Sequence, residues 1–388
     1  MDPRIFLFAL ATFATGTAEN IVIGILPDVA ASLGVSLGLA GQLTTAFSLA
    51  FALAAPAALV LTGRMERKSI LALALALFIL SNLVAALSPG IAVLFAARIA
   101  MAAASAAVCL VATMLATELA GPERRGRAIG LIFVGISGSM VLGVPAGMLV
   151  NNLLGWRSVF VALALLAFLV LAVCQLLLPI SASRPLGVAG YRRHVGSLRL
   201  VSGQLASIMM IGGHFVLFAY LAPYVVDVVG FDDEKLAPIF MAFGIAGVSG
   251  GYLGGWLTDV LAPRTTIVVV PLAYLVVLLA IPAASSMPLV FLGLMMVWAC
   301  ISWMISPVVQ SFLISAGPDT AEAGVSLNLS AMHVGVALGT AIGGLVLEHG
   351  STAVLPWTGT ILTTLAVAAS LIAAWRVADK PRRPAIEV

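Results

Sequence analysis

The sequence predicts an all-α integral membrane protein: twelve transmembrane helices in two parallel six-helix repeats, with both termini cytoplasmic. Three observations predict it. Of 388 residues, 62% are hydrophobic and 9% charged, and the apolar residues gather into twelve runs of bilayer-crossing length, about 20 residues each. The basic residues sit almost entirely on one side of those runs. Features of the first six runs return in the last six at one fixed offset.

The runs are taken as spans 1 to 12: residues 5–29, 38–62, 69–87, 90–118, 128–150, 158–179, 200–229, 236–260, 265–284, 287–315, 322–347 and 352–376. Span 1 is too long for a secretory signal and carries Glu19 and Pro27 where a signal would have a clean apolar core and a cleavage site. The loops between spans are too short for a soluble domain, so any functional site lies between helices.

Sixteen of the nineteen Lys and Arg residues fall in alternate loops and at both ends; the opposite side has only Arg157 and Lys235, and Arg98 lies inside span 4. This asymmetry places the termini in the cytoplasm and requires an even number of spans. It also accounts for the net charge of +3 and leaves no clustered basic face for a nucleic acid. Cys109, Cys174 and Cys300 lie within spans, at no metal-ligand spacing and in no disulfide framework.

The longest cytoplasmic connection, residues 180–198, separates a first bundle at 1–179 from a second at 199–388. Span 5 carries Gly135, Ser139, Gly143 and Gly147; span 11 carries Gly335, Gly339 and Gly343. Gly339 and Gly343 follow Gly143 and Gly147 by 196 positions, and the same offset carries Asp259 at the end of span 8 onto Gly63 after span 2. Small residues four apart let helices approach closely in lipid. They serve either as packing alone or, with Gly247, Gly251 and Gly255 of span 8, as seams along which helices move. Pro145 removes a backbone bond and is expected to kink span 5.

Three ionisable residues stand inside apolar runs: Glu19, Arg98 and His214. Such groups face a partner or a water-filled cavity, which makes function their default reading. From the helical rise, Glu19 lies roughly 21 Å up span 1 and Arg98 roughly 12 Å in from the outer face, at similar depth. His214 follows Glu19 by 195 positions, while position 294, the counterpart of Arg98, is Leu. A carboxylate is driven neutral by desolvation and held charged by a nearby cation. Those opposed effects suit reversible proton binding at Glu19, tuned by Arg98; a static Glu19–Arg98 pair locking two helices is the plainer alternative. His214 either titrates near neutral pH or packs as a hydrogen-bonded ring. Gln42, His214, Tyr220, Asn328 and His333 are candidates to line a substrate cavity, and Asp28 and Asp227 sit at the outer rim.

These residues resemble a known pattern. The chain is similar along its whole length to the major facilitator superfamily, and within it to the bacterial drug/proton antiporter branch of arabinose-efflux and chloramphenicol-resistance permeases. The likeness rests on Gly16-Thr17-Ala18-Glu19, Gly24-Ile25-Leu26-Pro27-Asp28, Ala40-Gly41-Gln42-Leu43 with Pro56, Arg98 at the superfamily's arginine position in span 4, Gly143-Val144-Pro145-Ala146-Gly147 resembling the antiporter motif, and Gly155-Trp156-Arg157 with Phe160. The loop after span 2 keeps Arg64, Arg67 and Lys68 but has Gly63 at the usual Asp position and Leu59 at the first Gly; Ala102 replaces a glycine after Arg98; Asp259 and Arg264 retain the second-half pattern. The resemblance implies a cytoplasmic gate of Arg64, Glu66, Arg67, Lys68, Asp259 and Arg264, with Glu66 able to substitute for the missing acid.

Together these expectations describe a monomeric, multi-pass carrier of the bacterial inner membrane. It would export a small neutral or amphiphilic molecule, such as a phenicol, by alternating access coupled to proton entry. Its partners would be that substrate, protons and the bilayer, with no cofactor beyond the proton gradient. Sugar export, or uptake in place of export, is an alternative within transport. An intramembrane enzyme would need a nucleophile with its base, or a metal cluster, and His214 and His333 lack neighbours at ligand spacing.

Overall fold

The computed structural model describes residues 2–61, 65–120, 125–177 and 189–375. Twelve helices in it are long and apolar enough to cross a membrane, and among the described residues there is no strand. They are span 1 (Arg4–Gly24), span 2 (Leu37–Leu61), span 3 (Arg67–Ala86), span 4 (Ile91–Ala120), span 5 (Arg125–Gly138 continuing as Val144–Leu154), span 6 (Trp156–Leu177), span 7 (Leu198–Phe218), span 8 (Leu236–Leu261), span 9 (Pro263–Ala284), span 10 (Pro288–Ala316), span 11 (Ala321–His349) and span 12 (Leu355–Ala374). Large apolar side chains such as Leu53, Leu153, Leu165 and Phe168 remain exposed, the surface a hydrocarbon solvent would cover.

The neighbour pattern repeats. Span 1 lies against spans 4, 5 and 6, and span 7 lies against spans 10, 11 and 12. Spans 2 and 8 pack on spans 4 and 10, and across the middle span 2 meets span 11 while span 8 meets span 5. Two bundles of the same design therefore face each other along two matching seams.

Two expected continuous helices are broken, at equivalent places. The span 1 helix ends at Gly24, Ile25 leaves helical geometry with φ −111° and ψ 12°, and a short helix Leu26–Leu33 restarts with Pro27 in its first turn. The span 7 helix ends at Phe218 with Tyr220 at φ −121° and ψ 26°; a short helix Leu221–Tyr224 with Pro223 follows, then a π turn Val225–Val229. Proline cannot donate its backbone hydrogen and its ring crowds the preceding turn, so Pro27 and Pro223 impose the same break in each bundle. Pro145 does more than kink span 5: the turn before it, Ser139–Gly143, is a π turn, a wider turn of the kind that often marks functional sites.

Within the expected connection 180–198, Ala189–Val195 is a short helix lying against spans 7 and 11. Tyr191 Oη donates to Ser326 Oγ at 3.1 Å.

The small-residue stripes face inward within each bundle, not across the seams. A Cβ on Gly143 would meet Thr17, and one on Gly147 would meet Ile21; on Gly339 it would meet the Gly212 backbone, and on Gly343 the Val216 carbonyl. Span 5 thus packs on span 1 as span 11 packs on span 7, which supports the packing reading of Gly143, Gly147, Gly335, Gly339 and Gly343. Span 8 departs from its expected stripe. Gly251 and Gly255 face open space, while Gly250 and Gly254 press on the Cys300 and Met304 backbone of span 10.

Candidate functional site

Arg98 is fully buried, yet it does not pair with the Glu19 carboxylate as expected. Its Nη1 donates to the Ala18 carbonyl oxygen and its Nη2 to the Glu19 backbone carbonyl oxygen at 3.1 Å. The guanidinium lies 4.2 Å above the Phe47 ring, within the range of cation–π attraction. A backbone carbonyl oxygen has two lone pairs, so it can accept from a side-chain donor beside its helical hydrogen bond. Arg98 therefore fastens span 4 to the backbone of span 1, a turn and a half before its break at Ile25.

With its backbone held there, the Glu19 side chain faces the second bundle. Its Oε1 stands 3.4 Å from Nε2 of His333 on span 11, and 23% of the side chain is exposed. Phe51 of span 2 stacks on the His333 ring at 3.8 Å between centroids and 3° between planes. His333, expected as a cavity residue, is thus the partner of Glu19. Depth matching would have found it: twelve residues up span 11 is about 18 Å from the cytoplasmic end, close to the height of Glu19. Phe51 carried no signal in the sequence.

His214 occupies the position equivalent to Glu19 but faces the interior of its own bundle. Its ring lies among Phe215, Phe218, Phe243, Tyr274 and Trp298. Nδ1 is 3.1 Å from Tyr274 Oη, which accepts from Trp298 Nε1 at 2.6 Å. The geometry is that of a hydrogen-bonded packing residue, not of the cavity partner expected.

The other cavity candidates also have internal duties. Tyr220 is buried, donates from Oη to the Thr340 carbonyl oxygen at 3.0 Å, and wedges its ring against Gly41, Gly343 and Gly344. Gln42 Nε2 reaches the Ala341 carbonyl oxygen across the seam at 3.5 Å. Asn328 Nδ2 donates to Gln204 Oε1 at 3.0 Å, and Gln204 in turn donates to the Gly324 carbonyl oxygen at 2.9 Å. At the outer end Ser36 Oγ donates to Glu348, a cross-bundle contact absent from the sequence reading. With Gly244 pressed on Met140 of span 5, these contacts close the seam from the outer ends to mid-depth. At the rim, Asp28 accepts from Asn151 Nδ2 at 2.5 Å, and Asp227 is exposed.

At the expected cytoplasmic gate, the following contacts among the described residues join spans of the same bundle. Arg67 pairs with Glu118 of span 4, and Lys68 Nζ donates to the Gln175 carbonyl oxygen at 3.0 Å. Arg264 Nε donates to the Ala374 carbonyl oxygen at 2.7 Å, capping the end of span 12. Glu66 Oε2 accepts from Ser69 at the start of span 3. Arg64 and the Asp259 side chain lie outside the described residues.

A twelve-helix duplicated bundle with a carboxylate on the seam defines a membrane carrier, and the comparisons give its family. The Major Facilitator Superfamily model matches residues 8–328, and the chain belongs to that family. It is 32% identical over 370 residues to YbcL of Bacillus subtilis (strain 168), an uncharacterized MFS-type transporter, covering 95% of each chain. It is 26% identical to YtbD of the same organism, also an uncharacterized MFS-type transporter, covering 98% of this chain and 97% of that one. Among solved structures, the fold is similar to a bacterial homologue of the human lysosomal transporter Spinster in an inward-facing, unoccupied conformation (TM-score 0.74, 18% identity, 96% of this chain and 94% of that one). It is likewise similar to a D-xylose–proton symporter (TM-score 0.76, 16% identity, 95% of each chain). The protein is a multi-pass membrane transporter of the MFS type.

Proposed function

We propose that this transporter couples proton entry to export of a small neutral or amphiphilic molecule across a bacterial inner membrane, acting as a monomer. One observation carries the reading: the Glu19 carboxylate stands on the seam that must open and close, 3.4 Å from a histidine of the opposite bundle. A proton gained or lost there changes the attraction between the two bundles directly, which is the link that alternating access needs. Arg98 contributes by fixing the span 1 backbone at Glu19. Sugar export loses its sequence support, because Tyr220 and Asn328 spend their polar atoms on internal hydrogen bonds.

The test is transport in proteoliposomes under an imposed pH gradient, screened over phenicols, cationic dyes and pentoses. Wild-type protein is expected to accumulate one of the first two classes against its gradient, and Glu19→Gln to lose accumulation while still binding that compound. Normal gradient-driven transport by Glu19→Gln would remove Glu19 as the proton carrier.

A further inference from the structure

The seam holds one buried base with an unused nitrogen. His333 is 8% exposed. Its Nδ1 lies 3.0 Å from the Leu329 carbonyl oxygen, one turn earlier on span 11. A carbonyl only accepts, so in the neutral ring Nδ1 carries the hydrogen and Nε2 carries the lone pair. Among the described residues Nε2 has no hydrogen-bond partner, and it stands 3.4 Å from Glu19 Oε1. Phe51, from the opposite bundle, lies flat on the ring and fixes its plane.

We propose that His333 is the acceptor to which Glu19 hands its proton when the bundles close on their outer side, so that the proton crosses the seam from span 1 to span 11. The step rests on the reading of Glu19 as carrier. The O–H bond of the Glu19 carboxyl breaks, and an N–H bond forms at Nε2 of neutral His333. The products are a carboxylate and an imidazolium, which attract one another and hold the closed arrangement. Loss of that proton from Nε2 to water on the cytoplasmic side restores the neutral ring and weakens the hold.

The surroundings leave few competitors. Span 4 offers Arg98, whose Nη atoms are taken by span 1 carbonyls, Cys109, in contact with Thr15 at 3.6 Å, and Glu118, paired with Arg67 near the cytoplasmic end. Span 2 has no charged side chain and presents Phe51; span 10 has only Cys300, and span 12 has none. On span 7, His214 is turned into its aromatic box and Arg199 lies near the cytoplasmic end, as do Arg192, Arg193 and His194 of the short helix before it. Glu348 and His349 sit at the outer end of span 11 and Glu322 at its inner end. Glu19 is the acid the geometry offers to His333.

Nitrogen NMR of isotope-labelled histidine in lipid nanodiscs tests the step without a substrate, with H333Q identifying the His333 signal among the four histidines. The expected result is a neutral ring with its hydrogen on Nδ1, and a protonation midpoint that moves by about tenfold or more in proton concentration in E19Q. A hydrogen on Nε2 in the neutral ring, or a midpoint unmoved by E19Q, would overturn the relay. In proteoliposomes, H333Q is expected to lose gradient-driven accumulation of the phenicol or dye while retaining its exchange at equal pH on both sides. Normal accumulation by H333Q would also overturn the relay. Normal accumulation by E19Q overturns the carrier reading instead, so the two failures are distinguishable.

Discussion

Glu19 and His214 stand 195 positions apart, at equivalent heights in two bundles of the same design, and they do opposite things. In the first bundle, Arg98 grips the span 1 backbone and the side chain of Glu19 is left to face the seam. In the second, position 294 is Leu, and His214 turns inward to Tyr274 and four other aromatic rings. Duplication gave both halves the same packing; at this height, of the two equivalent residues, only Glu19 turns its side chain toward the other bundle. The asymmetry extends to spans 5 and 11. Pro145 follows a π turn in span 5, whereas Ala341 stands at the matching place in a continuous span 11.

The sharpest way to test the packing half of this comparison is one methyl group placed at equivalent glycines. In Gly339→Ala the new Cβ meets the Gly212 backbone, which cannot rotate away; in Gly143→Ala it meets the Thr17 side chain. Overpacking costs typically 1–3 kcal/mol, so Gly339→Ala should lose about 3 kcal/mol and Gly143→Ala about 1. Thermal unfolding in detergent reads the difference, and equal losses would mean that the span 1–span 5 and span 7–span 11 interfaces are interchangeable.

Next in size is His214→Ala, which empties the middle of the aromatic box and should cost about 2 kcal/mol. The pH profile of transport should stay unchanged. A moved profile would show that the second bundle carries proton chemistry too, and the contrast with Glu19 would collapse.

Gly41→Ala probes the outer closure, because Tyr220 leaves no room for a Cβ there. Spin labels on the outer ends of spans 2 and 12 should report an outer-open population raised by about tenfold, or about 1.4 kcal/mol. An unchanged distance distribution would separate Tyr220 from gating.

The smallest effect concerns the short helix before span 7. His194 is 1% exposed, touching Thr320 Oγ1 at 3.4 Å and Gln204 Nε2 at 3.2 Å, and burial holds its ring below the usual 6.5. The folded state therefore prefers it neutral. Its contribution is fully present above that value and fades as pH falls, because the unfolded chain takes up the proton first. Wild-type protein should lose a little more stability than His194→Gln between about pH 7.5 and 5.5, and parallel curves would exclude His194 from the pH dependence.

Much of the architecture could be seen in the residues alone. The twelve runs, the sixteen basic residues on one side and the 196-residue offset each reflect a local cost, that of charge or unpaired backbone in hydrocarbon. That cost acts on each segment separately, so it is visible before folding. Even the breaks at Ile25 and Tyr220 are signalled by Pro27 and Pro223. The site was legible only as a set of depths. Glu19, Arg98 and His333 could be singled out, but the groups they touch could not. A helix turns about 100° per residue, so the partner a side chain meets depends on the rotation of its span, and neighbouring helices set that rotation. Whether Glu19 met a cation on span 4 or a histidine on span 11 was decided by how two bundles close against each other, a choice made by packing across the whole assembly.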